Sequence, residues 1–378
     1  MLDRRNFLIQ GALAGAGALA AGWGGPLRAA APSQRWAPYD EAMVIDGCGF
    51  VGNNEPGAGP TLRPGAIEDV RASGLRVLHT TVGPVAQYEN AFEATVRDIG
   101  NWEHEIAAHP DVFLAVRRGA DLERARREKK AGVVYQFQDS APIGESLERI
   151  DDYYHLGLRT VQLTYNVRNL AGDGCMEPGD AGLSKFGHSL VERLNERRIL
   201  VDLAHSGRRT ALEAIKASKS PVLISHTGCA ALVERPRNKT DAELRAAADS
   251  GGVVGIYLMP FLRESGQPMA MDVIAHIEHA LKICGEDHVG IGTDNFVSPV
   301  ALTEKYKRDH AESIRERRRQ GISAPGESET VYLYIPDLNT PRRFETLAAM
   351  LSARGHSDAR IGKILGGNFA RTMADVWG

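Results

Sequence analysis

Along the chain, short apolar runs rich in β-branched residues recur between segments whose apolar positions follow a helical period. The runs cover 43–46, 75–82, 132–138, 160–165, 199–205, 221–226, 252–258 and 289–293. They lack strict apolar–polar alternation, as strands do when both of their faces are buried. Amphipathic stretches separate them: 192–198 closes a helix before the fifth run, 208–218 comes directly after that run, and 241–250 and 273–284 come later. Strands and helices alternating in this way predict a parallel sheet. Eight such units over roughly 260 residues fit a closed barrel better than an open sheet, so the expected fold is α/β, a (β/α)8 TIM barrel.

A ninth apolar run, 112–116, precedes a charged helix at 120–130 and reads as part of the connection between the second and third barrel strands. Segment 302–336 is polar and charged, then tyrosine-rich, which suggests a helix-and-loop excursion over the barrel mouth. Residues 342–378 predict a helical C-terminal cap. Without an internal repeat or an interdomain linker, 32–378 is expected to be one domain.

The first 31 residues read differently. Arg4-Arg5, in Asp3-Arg4-Arg5-Asn6-Phe7-Leu8, has the look of a twin-arginine signal, with a weakly apolar Ala/Gly/Leu stretch and the small residues Ala29-Ala30-Ala31 after it. Pro32 is unfavourable directly after such a cut. The competing reading, an uncleaved anchor, is disfavoured because the stretch is poor in Leu and Ile. Export by the twin-arginine machinery to the periplasm is therefore the expectation. A net charge of −3 with no basic block argues against a nucleic-acid partner. Four cysteines, Cys48, Cys175, Cys229 and Cys284, offer pairing in an oxidising compartment, but no C-x-x-C spacing is present.

In a barrel the chemistry sits at the C-terminal ends of the strands. Here those ends carry Cys48, Gln138, Tyr165, His205, His226 and Asp294. Two histidines and an aspartate from three separate strand ends would converge on one pocket. The plainer alternatives are hydrogen-bonded structural histidines and an aspartate that caps the next helix.

Val201-Asp202-Leu203-Ala204-His205-Ser206, Pro221-Val222-Leu223-Ile224-Ser225-His226-Thr227 with Arg237-Asn238, Gly290-Ile291-Gly292-Thr293-Asp294 and Gly367-Asn368-Phe369 together resemble the motifs of the membrane (renal) dipeptidases. So does Gly157-Leu158-Arg159 up to Leu163-Thr164. The resemblance implies a metal-dependent-hydrolase-like barrel that binds two zinc ions on five protein ligands and cleaves dipeptides. It brings His205 and His226 in as metal ligands, Asp294 as the proton-handling carboxylate, and Arg237 with Asn238 as substrate-binding residues. It also brings a homodimer into view. The remaining positions depart from the pattern. Cys48 and Phe50 stand where a His-x-Asp pair is expected, Gln138 where the bridging glutamate falls, and Tyr165 where a substrate-binding histidine falls.

A neutral amide is a poor bridge and phenylalanine cannot ligate, so a two-metal centre is not expected. One zinc remains open, on His205 and His226 with Cys48 or Asp294. Cys48 itself reads as a nucleophilic thiolate, as a small residue filling vacated space, or as half of a disulfide. Three functions are compatible with these residues. One is a periplasmic hydrolase of a dipeptide or small amino-acid-derived amide with one metal at most. Another is a metal-independent lyase, isomerase or tailoring enzyme using His205, His226, Asp294 and Tyr165 as acid–base groups; in any enzyme reading Gln138 and Tyr165 join Arg237 and Asn238 as candidate substrate-binding residues. The third is a non-catalytic small-molecule-binding protein.

Overall fold

The computed structural model describes residues 35–52 and 61–378; the export-signal reading falls on residues outside these. In chain order the strands are β1 (Ile45–Asp46), β2 (Gly49–Phe50), β3 (Val77–Thr81), β4 (Phe113–Ala115), β5 (Ala131–Phe137), β6 (Leu158–Gln162), β7 (Leu200–Asp202), β8 (Leu223–Thr227), β9 (Val253–Ile256), β10 (Val289–Ile291) and β11 (Asn295–Phe296). Eight of them form the path β1-β3-β5-β6-β7-β8-β9-β10, every neighbouring pair parallel. The ring closes where Gly47 N–H donates to Ile291 O at 3.0 Å, and a second contact at the mouth pairs β11 with β2. Each of the eight apolar runs supplies one barrel strand. The ninth run is β4, which pairs with the first half of β5 below the point at which β6 joins.

Two apolar layers explain why these runs form strands. Outward-facing Val133, Tyr135, Phe137, Val161, Leu163 and Val201 pack under the surrounding helices. Inward-facing Ile45, Val77, Val134, Leu200, Leu223 and Val253 fill the lower half of the barrel. The plug comes from the C-terminal cap: Phe369, Met373 and Trp377 of the helix Asn368–Trp377 belong to that inner cluster. Phe369 enters because β10 carries Gly290, where a Cβ would meet its ring at 2.5 Å. The excursion predicted over the mouth is the helix Glu304–Arg319 and the loop after it. No helix among the described residues is long and apolar enough to cross a membrane.

Candidate active site at the barrel mouth

The strand ends bring Cys48, Gln138, Tyr165, His205, His226 and Asp294 together, none of them more than 5% exposed. Asp294 has φ +54°, a left-handed conformation uncommon for a residue with a side chain. Its N–H is tied to Cys48 O at 2.6 Å across the barrel seam. The next element in the chain is the strand β11 and not a helix, so Asp294 is no helix cap. Its Oδ1 lies 3.8 Å from Cys48 Sγ and 3.4 Å from Gln138 Nε2, and the same Gln138 amide donates to Cys48 Sγ at 2.8 Å. Across the pocket, His205 Nε2 and His226 Nε2 are 3.0 Å apart.

The histidines are held from behind. Asn166 Oδ1 accepts from His205 Nδ1 at 2.7 Å, and the Tyr165 ring stacks on His205 at 4.2 Å. His226 Nδ1 meets Ser225 Oγ at 2.9 Å, and Ser225 Oγ donates to Asp202 Oδ2 at 2.5 Å. With its one proton given to Asp202, Ser225 accepts from His226 Nδ1–H, which turns the Nε2 lone pair toward the pocket. Burial pushes the Asp202 carboxyl up to about 6 against the hydrogen bonds of Ser225. Asp46 does the same service on the other side: its carboxylate accepts from Thr293 N (2.8 Å), Thr293 Oγ1 (2.6 Å) and Cys48 N (3.2 Å), and burial raises it to about 7.

Arg237 is buried beside the pair, donating to Ala204 O at 2.6 Å and facing His205 Nε2 at 3.2 Å. Asn238 is turned away: its amide donates to Val233 O (2.7 Å) and Phe261 O (3.0 Å) and accepts from the Tyr257 hydroxyl. No disulfide joins Cys48, Cys175, Cys229 or Cys284; all four are thiols. Among the polar residues after the third and fourth barrel strands, Asp139 and Asn169 bond each other at 2.7 Å and brace their two loops.

Sequence reading missed three supports. Asp202 and Ser225 lie on inward-facing strand positions, a signal that alternation along β7 and β8 contained. Arg317 carries no such signal. It descends from the excursion helix, is buried, forks onto Glu327 at 2.8 Å and 2.8 Å, and reaches Tyr165. Ile322 O, in the loop after it, accepts from Asn166 Nδ2 at 3.1 Å.

Among the described residues, one set of potential metal ligands stands out: Cys48, His226 and Asp294, with ligand atoms within 4.8 Å of one another. Thiolate, imidazole and carboxylate from three elements suit one zinc-like ion and balance its charge. His205 stands just outside this set, its Nε2 facing the Arg237 guanidinium at 3.2 Å. A second dication does not fit. Gln138 turns an amide N–H toward the space between thiol and carboxylate, and Phe50 packs on Phe296 with ring centres 5.6 Å apart.

Comparison with known proteins agrees with this fold. An uncharacterised protein from the pqqA 5′ region of Klebsiella pneumoniae is 28% identical over 270 residues, covering 68% of this chain and 87% of its own. The dipeptidase verJ of Clonostachys rogersoniana is 28% identical over 296 residues, covering 77% of this chain and 67% of its own. The crystal structure of an amidohydrolase from Pseudomonas aeruginosa superposes with a TM-score of 0.75 at 31% identity, covering 90% of this chain and 98% of that one. The model of the membrane dipeptidases, peptidase family M19, matches residues 70–308, and to that family of hydrolases this chain belongs.

Proposed function

We propose that this chain is a periplasmic hydrolase of a dipeptide or a small amino-acid-derived amide, working with one bound zinc ion. The observation that carries the reading is the convergence of Cys48, His226 and Asp294 at the ends of three barrel elements, buried and within 4.8 Å of one another. Cys48, His226 and Asp294 would hold the ion, which would supply Lewis-acid chemistry for polarising a carbonyl and lowering the pKa of water. The protein's own groups do the rest. Asp294 would ligate through one carboxylate oxygen and use the other to take and return a proton. The Gln138 amide and the Arg237 guanidinium present N–H donors to the carbonyl or carboxylate of a substrate. Tyr165 and the Asn166 amide fix the His205 ring, and the Ser225–Asp202 pair fixes His226. The excursion over the mouth excludes bulk water. The twin-arginine run at the N-terminus supports the periplasmic assignment.

The test is the zinc content of the mature protein together with hydrolysis of a dipeptide panel. Near one zinc per chain, chelator-sensitive turnover, and loss of both in His226→Ala and Asp294→Asn are expected. A second reading, metal-independent chemistry on the same groups, is favoured by the Gln138 amide, whose N–H already bridges the Cys48 thiol and the Asp294 carboxylate as a cation would. Turnover that survives chelation in a zinc-free protein would replace the first reading with that one.

A further inference from the structure

Barrels of this type are filled by branched aliphatic side chains, yet here the layer beneath the reaction centre is polar. His79 on β3, Gln136 on β5 and Thr160 and Gln162 on β6 are completely buried. Alternation places them inward: Val77 and Val134, two residues below His79 and Gln136, belong to the inner cluster, while Tyr135, Phe137 and Val161 pack outward. Gln136 is paired in register with Thr160, and Gln162 with Asp202. The Gln136 amide donates to His79 O at 3.5 Å. The side-chain partner of the His79 ring is the Gln136 amide, and the Thr160 hydroxyl and both amide atoms of Gln162 meet no hydrogen-bond partner in the protein. At the foot of the column the His79 ring lies 6.3 Å from that of Trp377, whose indole N–H also meets none.

Buried polar atoms left dry are destabilising, and natural interiors satisfy them with ordered water bonded to two to four groups. We propose that this column is a built water-binding site: a chain of internal water molecules running from Trp377 past His79, Gln136 and Thr160 to Gln162. Its upper end stands beside Asp202, the carboxylate that reaches His226 through Ser225. Amide, hydroxyl and neutral imidazole groups offer donors and acceptors together, which suits water better than an ion of either sign. The column's use as a water supply to the covered site rests on the hydrolase reading; its hydration does not.

The test uses Thr160→Val, which keeps the side-chain shape, and Gln162→Met in the purified mature protein. Each is measured for melting temperature and for long-lived internal water by oxygen-17 relaxation. A hydrated column predicts that both variants melt lower, by about 2 °C or more, and that the internal-water signal falls. In a dry column the same substitutions remove unsatisfied atoms, so melting rises or holds. A higher or unchanged melting temperature, or an unchanged water signal, overturns the proposal. Neither readout needs turnover, so failure here leaves the hydrolase reading standing, and absence of hydrolysis leaves these measurements readable.

Discussion

At the scale of single residues, Gln138 decides what the pocket can hold. Its neutral amide points a donor at the Cys48 thiol and the Asp294 carboxylate, where a bridging carboxylate would instead attract a cation. Gln138→Glu adds a negative ligand to the buried set, and zinc is expected to bind more tightly, as read by competition with a chromogenic chelator. Unchanged affinity would place the ion away from Cys48 and Asp294. Ser225 acts one step back, orienting His226 through Nδ1 while handing its own proton to Asp202. Groups in that position are typically worth about 10–100-fold in metal affinity. Ser225→Ala is therefore expected to weaken zinc binding by about that factor, with the fold kept, in the same competition assay. That Cys48, His205, His226 and Asp294 meet at the strand ends was legible in the sequence because the barrel rule fixes which residues converge; that His205 stands outside the group of Cys48, His226 and Asp294 was not. Of the supports behind them, the inward positions of Asp202 and Ser225 were there in the alternation, but which groups they and Asn166 would touch was not, because those contacts exist only in the closed barrel.

At the scale of elements, the eight strands could be read from their apolar runs because burial on both faces leaves no other use for so many branched residues. The excursion is the opposite case. Its helix, Glu304–Arg319, is dominated by surface charge, and nothing in that pattern separates buried Arg317 from exposed neighbours such as Arg318 and Arg319. Only the fold shows Arg317 turned inward, forked onto Glu327 and reaching Tyr165, while Ile322 O holds Asn166. The excursion thus rests on the two residues that fix His205. Removing one member of a buried ion pair strands the other charge, typically at about 3–5 kcal/mol. Glu327→Ala is expected to loosen the excursion locally, with faster protease cleavage within 304–336 and little movement of the main unfolding transition. Cut sites mapped by mass spectrometry check this; cleavage spread evenly over the barrel would show that the pair supports the whole fold.

At the scale of the whole molecule, buried titratable groups pull stability in opposite directions with pH. His276 sits in the core as a neutral ring, accepting from Cys229 N at 2.9 Å and donating to Leu262 O at 3.2 Å. Burial pushes it from 6.5 down to about 4, and His79 down to about 3. Between 6.5 and those values the unfolded chain takes up protons that the folded chain refuses, so stability falls as pH falls. The slope is at most about 1.4 kcal/mol per pH unit for each histidine. Asp46 and Asp202, raised from 3.8 to about 7 and about 6, work the other way: their contribution is full below 3.8 and is lost as pH rises through those values. The wild-type profile is the sum of the two and does not separate them. A variant does. Gln at 276 keeps polar atoms in place but does not titrate, so the stability lost in His276→Gln is expected to be greatest above pH 6.5 and to shrink steadily toward pH 4. Urea unfolding of both proteins at matched pH values measures the difference. A cost that stays constant over that range would mean the folded ring accepts a proton as readily as the unfolded one, and acid sensitivity would then have to arise elsewhere in the barrel.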